Sequence, residues 1–195
     1  MDCNIVINKL NWETPLVYAC TMGRLGVVQL MIENYEDWEI DCKRTNGKGQ
    51  NGLMVAMEKG HVDIVKLLVA KSKDINLNLD AYDLDENTAL MIGSKNKQTK
   101  AISALFEKDN RNFADPNWTN KFKQTAFMLA CQPTHNETKD ERMLETILLF
   151  IKQAQSKRID LKAKDDNGKS ATDFMTSHIE EQIKLSYPHL FDNEN

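Results

Sequence analysis

An all-α solenoid of stacked helix pairs is the fold class this sequence predicts. Three observations carry that expectation. Four segments align without gaps: TPLVYACTMG from Thr14, NGLMVAMEKG from Asn51, TALMIGSKNK from Thr88 and TAFMLACQPT from Thr125, each start 37 residues after the last. Each opens on Thr or Asn, whose side-chain oxygen can cap a helix by accepting from N–H groups of the first turn. A second apolar block with helical spacing then follows at a matching offset. A lone pair of short helices cannot bury its apolar face, whereas the same pair stacked on like neighbours can.

The elements follow in order. In copy one, Pro15 stands at the first helical position, where its missing N–H costs nothing. Gly23 ends that helix, and VVQLMI at 27–32 forms the next, with Val27, Val28, Leu30 and Met31 at helical spacing. Copy two repeats the plan with Gly60 as the stop and Ile64, Val65, Leu67 and Leu68 in the second helix. Copy three supplies AISALF at 101–106. In copy four the second block, TILLFI at 146–151, comes eight residues late, which an insertion at 132–141 explains. That insertion is polar and contains Pro133, which stops the preceding helix, so an exposed, mobile loop is expected there. A fifth, degenerate start is SATDFM at Ser170. The chain then reads as a polar cap around HIEEQIKLSYPHLF, with Glu180, Glu181, Gln182 and Lys184 facing solvent. The units run over about 9–45, 46–82, 83–119 and 120–164, with the cap at 165–195.

These residues resemble the ankyrin repeat. The family's T-P-L-H-x-A motif is read as T-P-L-V-Y-A at Thr14–Ala19, and its G-H before the second helix as Gly60-His61. Its turn pattern D-x-D-G-x-T is matched by DDNGKS at 165–170 and partly by DLDENT at 83–88. The resemblance covers roughly residues 9–186 and implies an ankyrin-repeat solenoid of about four and a half helix-turn-helix units. The inter-repeat loops are lengthened by about four residues over the usual period. Two departures carry expectations. The motif histidine is replaced by Val17, Met54, Met91 and Met128. The turn glycine is kept as Gly49 and Gly168 but replaced by Trp12, Glu86 and Lys123, so those three turns are expected to be remodelled.

Composition excludes several functions. A net charge of -4 and a pI of about 5.6 argue against a general nucleic-acid binder. No apolar run is long enough to span a bilayer, and the first residues show no secretory leader. Cys3, Cys20, Cys42 and Cys131 form no C-x-x-C pair, which points to reduced thiols in the cytoplasm or nucleus, the cytoskeleton being a further location. Gly47, Gly49 and Gly52 spell G-x-G-x-x-G, but the strand and βαβ unit of a dinucleotide site are missing, so they read as turn punctuation. His61, His135, His178 and His189 lie in different units and build no nucleophile-base arrangement. Asp165 and Asp166 are paired acids within a turn and read as solvated turn residues. The column Met54, Met91, Met128 is either an adaptable binding surface or core filling, and its place inside the buried motif favours core.

The expected function is protein–protein binding without catalysis, metal or cofactor. Partners of ankyrin domains commonly bind the hairpin tips and the exposed side of the first helices, along the concave face. Carried onto this chain, that implies Leu10, Asn11, Glu13, Thr21 and Met22; Lys48, Gln50, Glu58 and Lys59; Leu84, Asp85, Asn87, Lys95 and Asn96; and Lys121, Phe122, Gln124 and Gln132. The main candidates are Leu10, Met22, Lys48, Lys59, Leu84, Asp85, Lys121 and Phe122. Leu10, Met22, Leu84 and Phe122 are apolar where polar turn residues are expected, and aligned apolar tips would mark an interface. Trp38 and Trp118 in the long loops are further candidates. Two alternatives remain: a structural subunit of a large cytoskeletal or ciliary assembly, and a regulator of a partner enzyme.

Overall fold

A computed structural model describes residues 13–106, 115–133 and 140–190. Nine α-helices lie among the described residues: α1 (Pro15–Thr21), α2 (Leu25–Glu33), α3 (Gly52–Lys59), α4 (Val62–Lys71), α5 (Ala89–Lys95), α6 (Thr99–Phe106), α7 (Ala126–Cys131), α8 (Asp140–Lys157) and α9 (Ser177–Ser186). A 3-10 turn over Ala171–Phe174 precedes α9. The first helix of each copy packs on the next, α1 on α3, α3 on α5, α5 on α7, and α7 on the 3-10 turn. The second helices form the other layer, α2 on α4, α4 on α6, and α6 on α8.

The caps show why the helices begin where they do. Thr14, Asn51, Thr88 and Thr125 are all extended, and each side-chain oxygen accepts the N–H three residues on, at 3.4, 3.1, 3.4 and 3.3 Å. Ser170 repeats the start as a capping box with Asp173, but opens a 3-10 turn instead of an α-helix. The two layers enclose one continuous core, which includes Val17, Met54, Met91 and Met128. The methionine column is therefore core, with Met54, Met91 and Met128 each 1% exposed.

Copies clamp one another through the position after the first-helix stop. His61 Nε2 lies 3.2 Å from the Thr21 carbonyl, and one period later Gln98 Nε2 donates to the Glu58 carbonyl at 3.3 Å. The stops themselves are Gly23 and Gly60 at positive φ, and the third is Lys97 at φ 55. Lys97 is 1% exposed, and its Nζ donates to the Leu129 carbonyl of α7 at 2.7 Å.

Three expectations are corrected. The turns bearing Glu86 and Lys123 are not remodelled. Both residues adopt the positive φ of Gly49 and Gly168, at 61° and 54° against 76° and 73°. What holds all four is the residue three positions earlier. Asn46, Asp83, Asn120 and Asp165 each accept two backbone N–H groups of their own turn on Oδ1, at 2.8–3.0 Å. A left-handed conformation costs a non-glycine residue about 1–2 kcal/mol, part of which glycine would return as unfolded-chain entropy. The double variant Glu86→Gly/Lys123→Gly is thus expected to raise stability by about 1 kcal/mol. A urea midpoint at or below that of the parent chain would show that these turns carry no strain. Trp12, the third such residue, lies outside the described residues.

The second correction concerns the insertion. Its last two residues, 140 and 141, already belong to α8, which is 18 residues long. As expected, the first helix stops before Pro133; the expected loop at 134–139 lies outside the described residues. Val28 and Met31 of α2 are buried, but Val27 and Leu30 are exposed, whereas their counterparts Ile64 and Leu67 in copy two are buried and half-buried. The third correction concerns the cap. The expected cap forms α9, which buries Ile179 and Ile183 and exposes Glu181, Gln182 and Lys184, while Glu180 is half-buried.

Candidate functional site

The turns stack in a row. Leu84 N–H donates to the Lys48 carbonyl at 3.1 Å, Lys121 N–H to the Asp85 carbonyl at 3.3 Å, and Asp166 N–H to the Phe122 carbonyl at 3.3 Å. Lys121 also forms an ion pair with Asp85, and Lys123 with Asp166 at 3.2 Å. This row carries the tip side chains to one edge. Leu84 is 73% exposed and Phe122 52% exposed, with Lys121 Nζ 5.1 Å from the Phe122 ring centroid.

Between the second and third turns and helices α3 and α5 lies a groove of about 520 Å³. Lys48, Gln50, Leu84, Asp85, Asn87 and Lys95 contribute to its lining, together with Glu58 and Asn96. Of the eight main candidates the groove therefore gathers three, Lys48, Leu84 and Asp85. Lys59 and Lys121 adjoin it through their ion pairs with Glu58 and Asp85. Phe122 stands on the next tip, and Met22 caps α1 in copy one, exposed but away from the groove. Leu10 lies outside the described residues. Sequence reading missed Gly47, Asp83 and Ile92 as lining residues and favoured core for Met91, although the DLDENT match already held Asp83.

The electrostatics follow from these contacts. The Lys121 ammonium beside Asp85 holds that carboxyl below the usual carboxylate range. Partial burial works to raise Glu58, but Lys59, Gln50 and Lys48 together hold it lower. In the last turn, backbone N–H groups led by that of Lys169 lower Asp165, while its neighbour Asp166 pairs with Lys123. Both acids thus serve the turn. Burial pushes the Cys20 and Cys131 thiols up, and Cys42 up to about 11, so all three remain protonated near neutral pH and suit packing, not nucleophilic attack. Gly49 makes its turn, and Gly52 opens α3, where an added Cβ would stand 3.0 Å from Cys20 Sγ. The glycines of the G-x-G-x-x-G segment thus have structural work at both positions. Trp118 stacks on Tyr82 with ring centroids 6.2 Å apart, and Trp38 is partly exposed in the first long loop.

Helix pairs that bury one another's faces, with turns hydrogen-bonded in a row, define a helical-hairpin repeat solenoid. A family model described as ankyrin repeats (3 copies) matches residues 35–113. Residues 35–113 thus match ankyrin repeats, and the fold is an all-α ankyrin solenoid. Alpha-latrocrustotoxin-Lt1a of Latrodectus tredecimguttatus is 28% identical over 116 residues, 55% of this chain and 8% of that protein. Ankyrin repeat and SAM domain-containing protein 6 of Rattus norvegicus is 33% identical over 84 residues, 40% of this chain and 9% of that protein. Ankyrin repeat domain-containing protein 29 of Danio rerio is 38% identical over 69 residues, 33% of this chain and 22% of that protein. The chain thus spans at most 22% of the length of these relatives. Ankyrin repeats are in general protein–protein interaction modules and typically carry no catalytic chemistry. Among the described residues, no helix is long and apolar enough to cross a membrane.

Proposed function

We propose that this chain is a binding module that holds a partner protein against its first helices and hairpin tips, without catalysis or cofactor, in the reducing cytoplasm. The observation that carries the reading is the groove between the second and third turns, where family-implied positions from two copies converge beside the exposed Leu84. An apolar tip with a polar and charged surround has the composition of an interface core and rim. Phe122, one tip further along the same row, supplies a second apolar anchor.

Affinity capture on the full chain, followed by mass spectrometry, supplies the partner on which the reading is tested. With that partner, Phe122→Ala is expected to weaken binding by more than about 1 kcal/mol, the threshold of an interface anchor. The urea midpoint should scarcely move, since half of the side chain is already in water. A sharp fall in the midpoint with unchanged affinity would make Phe122 a packing residue and displace the strip. No change in either would move the interface to the loops bearing Trp38 and Trp118.

A second reading, a permanent subunit of a larger assembly, is favoured by α2. Leu25, Val27 and Leu30 on this helix are exposed, whereas their counterparts on α4, Val62, Ile64 and Leu67, are buried or half-buried. Co-elution of the native protein with a large complex on size exclusion would favour this reading over a transient adaptor.

A further inference from the structure

The groove beside Leu84 has a charge pattern that selects among partners, provided that the chain is a binding module. Its carboxylates are already satisfied. Asp83 accepts the N–H groups of Asp85 and Asn87 at 2.9 and 2.8 Å, and both of its oxygens face Asn87 Nδ2. Asp85 is paired with Lys121. Glu58 accepts from Lys59 Nζ at 3.0 Å and from Gln50 Nε2 at 3.2 Å. The amide donors are used as well: Asn87 on Asp83, Gln50 on Glu58, and Asn96 on the Ile92 carbonyl at 2.9 Å.

Two donors remain. Lys48, in the second turn, and Lys95, in the last turn of α5, both line the groove and are exposed. Neither ammonium takes part in a hydrogen bond or ion pair among the described residues. The lining itself holds two lysines and three carboxylates, but Lys59 and Lys121 at the edge pair with Glu58 and Asp85, which leaves Lys48 and Lys95 as the lining cations outside any ion pair among the described residues. A groove with satisfied acids and unspent cations attracts an anionic ligand and repels a cationic one.

We propose that this groove takes an acidic segment of the partner protein, whose carboxylates pair with Lys48 and Lys95 while a neighbouring apolar side chain rests against Leu84. The lysines set orientation and choice of partner, and Leu84 supplies the apolar contact. Because both cations are exposed, their contribution is modest and falls as salt rises.

The test begins with a random-peptide library displayed on phage and selected on the full chain. Enriched peptides are expected to carry an excess of Asp and Glu. A synthetic peptide from that set should bind the parent chain and lose at least about fivefold in affinity on Lys48→Gln/Lys95→Gln, with a further loss at raised salt. Lys66→Gln/Lys100→Gln, which removes exposed lysines from the second-helix layer, should leave affinity unchanged. Enriched peptides that are neutral or basic, yet weakened by Leu84→Ala, overturn the acidic assignment and leave the binding-module reading standing. Peptides indifferent to Leu84→Ala, Phe122→Ala and both lysine changes, or no enrichment, overturn both. A single-stranded oligonucleotide that binds more tightly than the acidic peptide overturns the choice of a protein ligand.

Discussion

Phe150→Ala is expected to remove about 3–5 kcal/mol of folding stability, the range for truncating a buried phenylalanine. Phe150 is fully buried in α8, where its ring meets Phe106 of α6 edge-on at 5.4 Å and Phe127 of α7 at 5.7 Å. It thus joins the helix after the insertion to both helices that precede it. Truncation leaves a cavity between three elements, and short helices on either side have little room to collapse into it. Urea denaturation of the full chain measures the loss. A change below about 1 kcal/mol would mean that α8 does not pack as described and that the register of copy four is wrong. Phe122→Ala, in the same copy, is the internal comparison, because the same truncation at an exposed tip is expected to cost little.

Lys97→Met is expected to cost about 1–3 kcal/mol, the penalty for leaving a buried acceptor without its donor. The cause lies 36 residues away, in Pro133. A helix carbonyl ordinarily accepts the N–H four residues on, as Ile92 does from Asn96 at 3.2 Å in copy three. Leu129 would take the N–H of residue 133, but proline has none, and Gln132 is already extended at ψ 131 before it. Lys97 Nζ supplies the donor at 2.7 Å. Methionine preserves the length of the side chain and removes only the ammonium, which separates donor loss from cavity formation. A double-mutant cycle with Pro133→Ala checks the account. Restoring an N–H at 133 should make the Lys97→Met change less costly by at least about 0.5 kcal/mol. Strict additivity would mean that the lysine serves something other than the orphaned carbonyl.

The legible features of this chain are local ones. Thr14, Asn51, Thr88 and Thr125 cap helices because a short polar side chain can reach the first turn from its own backbone, whatever lies elsewhere. The core place of Met54, Met91 and Met128 follows from their spacing within a repeated apolar block. The expectation of remodelled turns fails at Glu86 and Lys123 because glycine is not the sole means of reaching positive φ. The side chains of Asp83 and Asn120 hold those turns through backbone N–H groups, and each residue's place three positions ahead is visible in the repeat. Lys97 is also within reach of the sequence, since it stands one period after Gly60. Its burial is not, because that depends on an acceptor in the next copy.

Period, element order, caps and the inward column are therefore set by residue chemistry that acts over a few positions, repeated often enough to be unmistakable. Contacts between copies decide the rest: that Val27 and Leu30 stand exposed while Ile64 is buried, and that Asp85 is paired across turns while Lys48 and Lys95 join no ion pair among the described residues. The physical reason is that burial and pairing belong to a residue's neighbours in space. In a solenoid those neighbours lie a full period away, so identical local patterns meet different surroundings at each step of the stack.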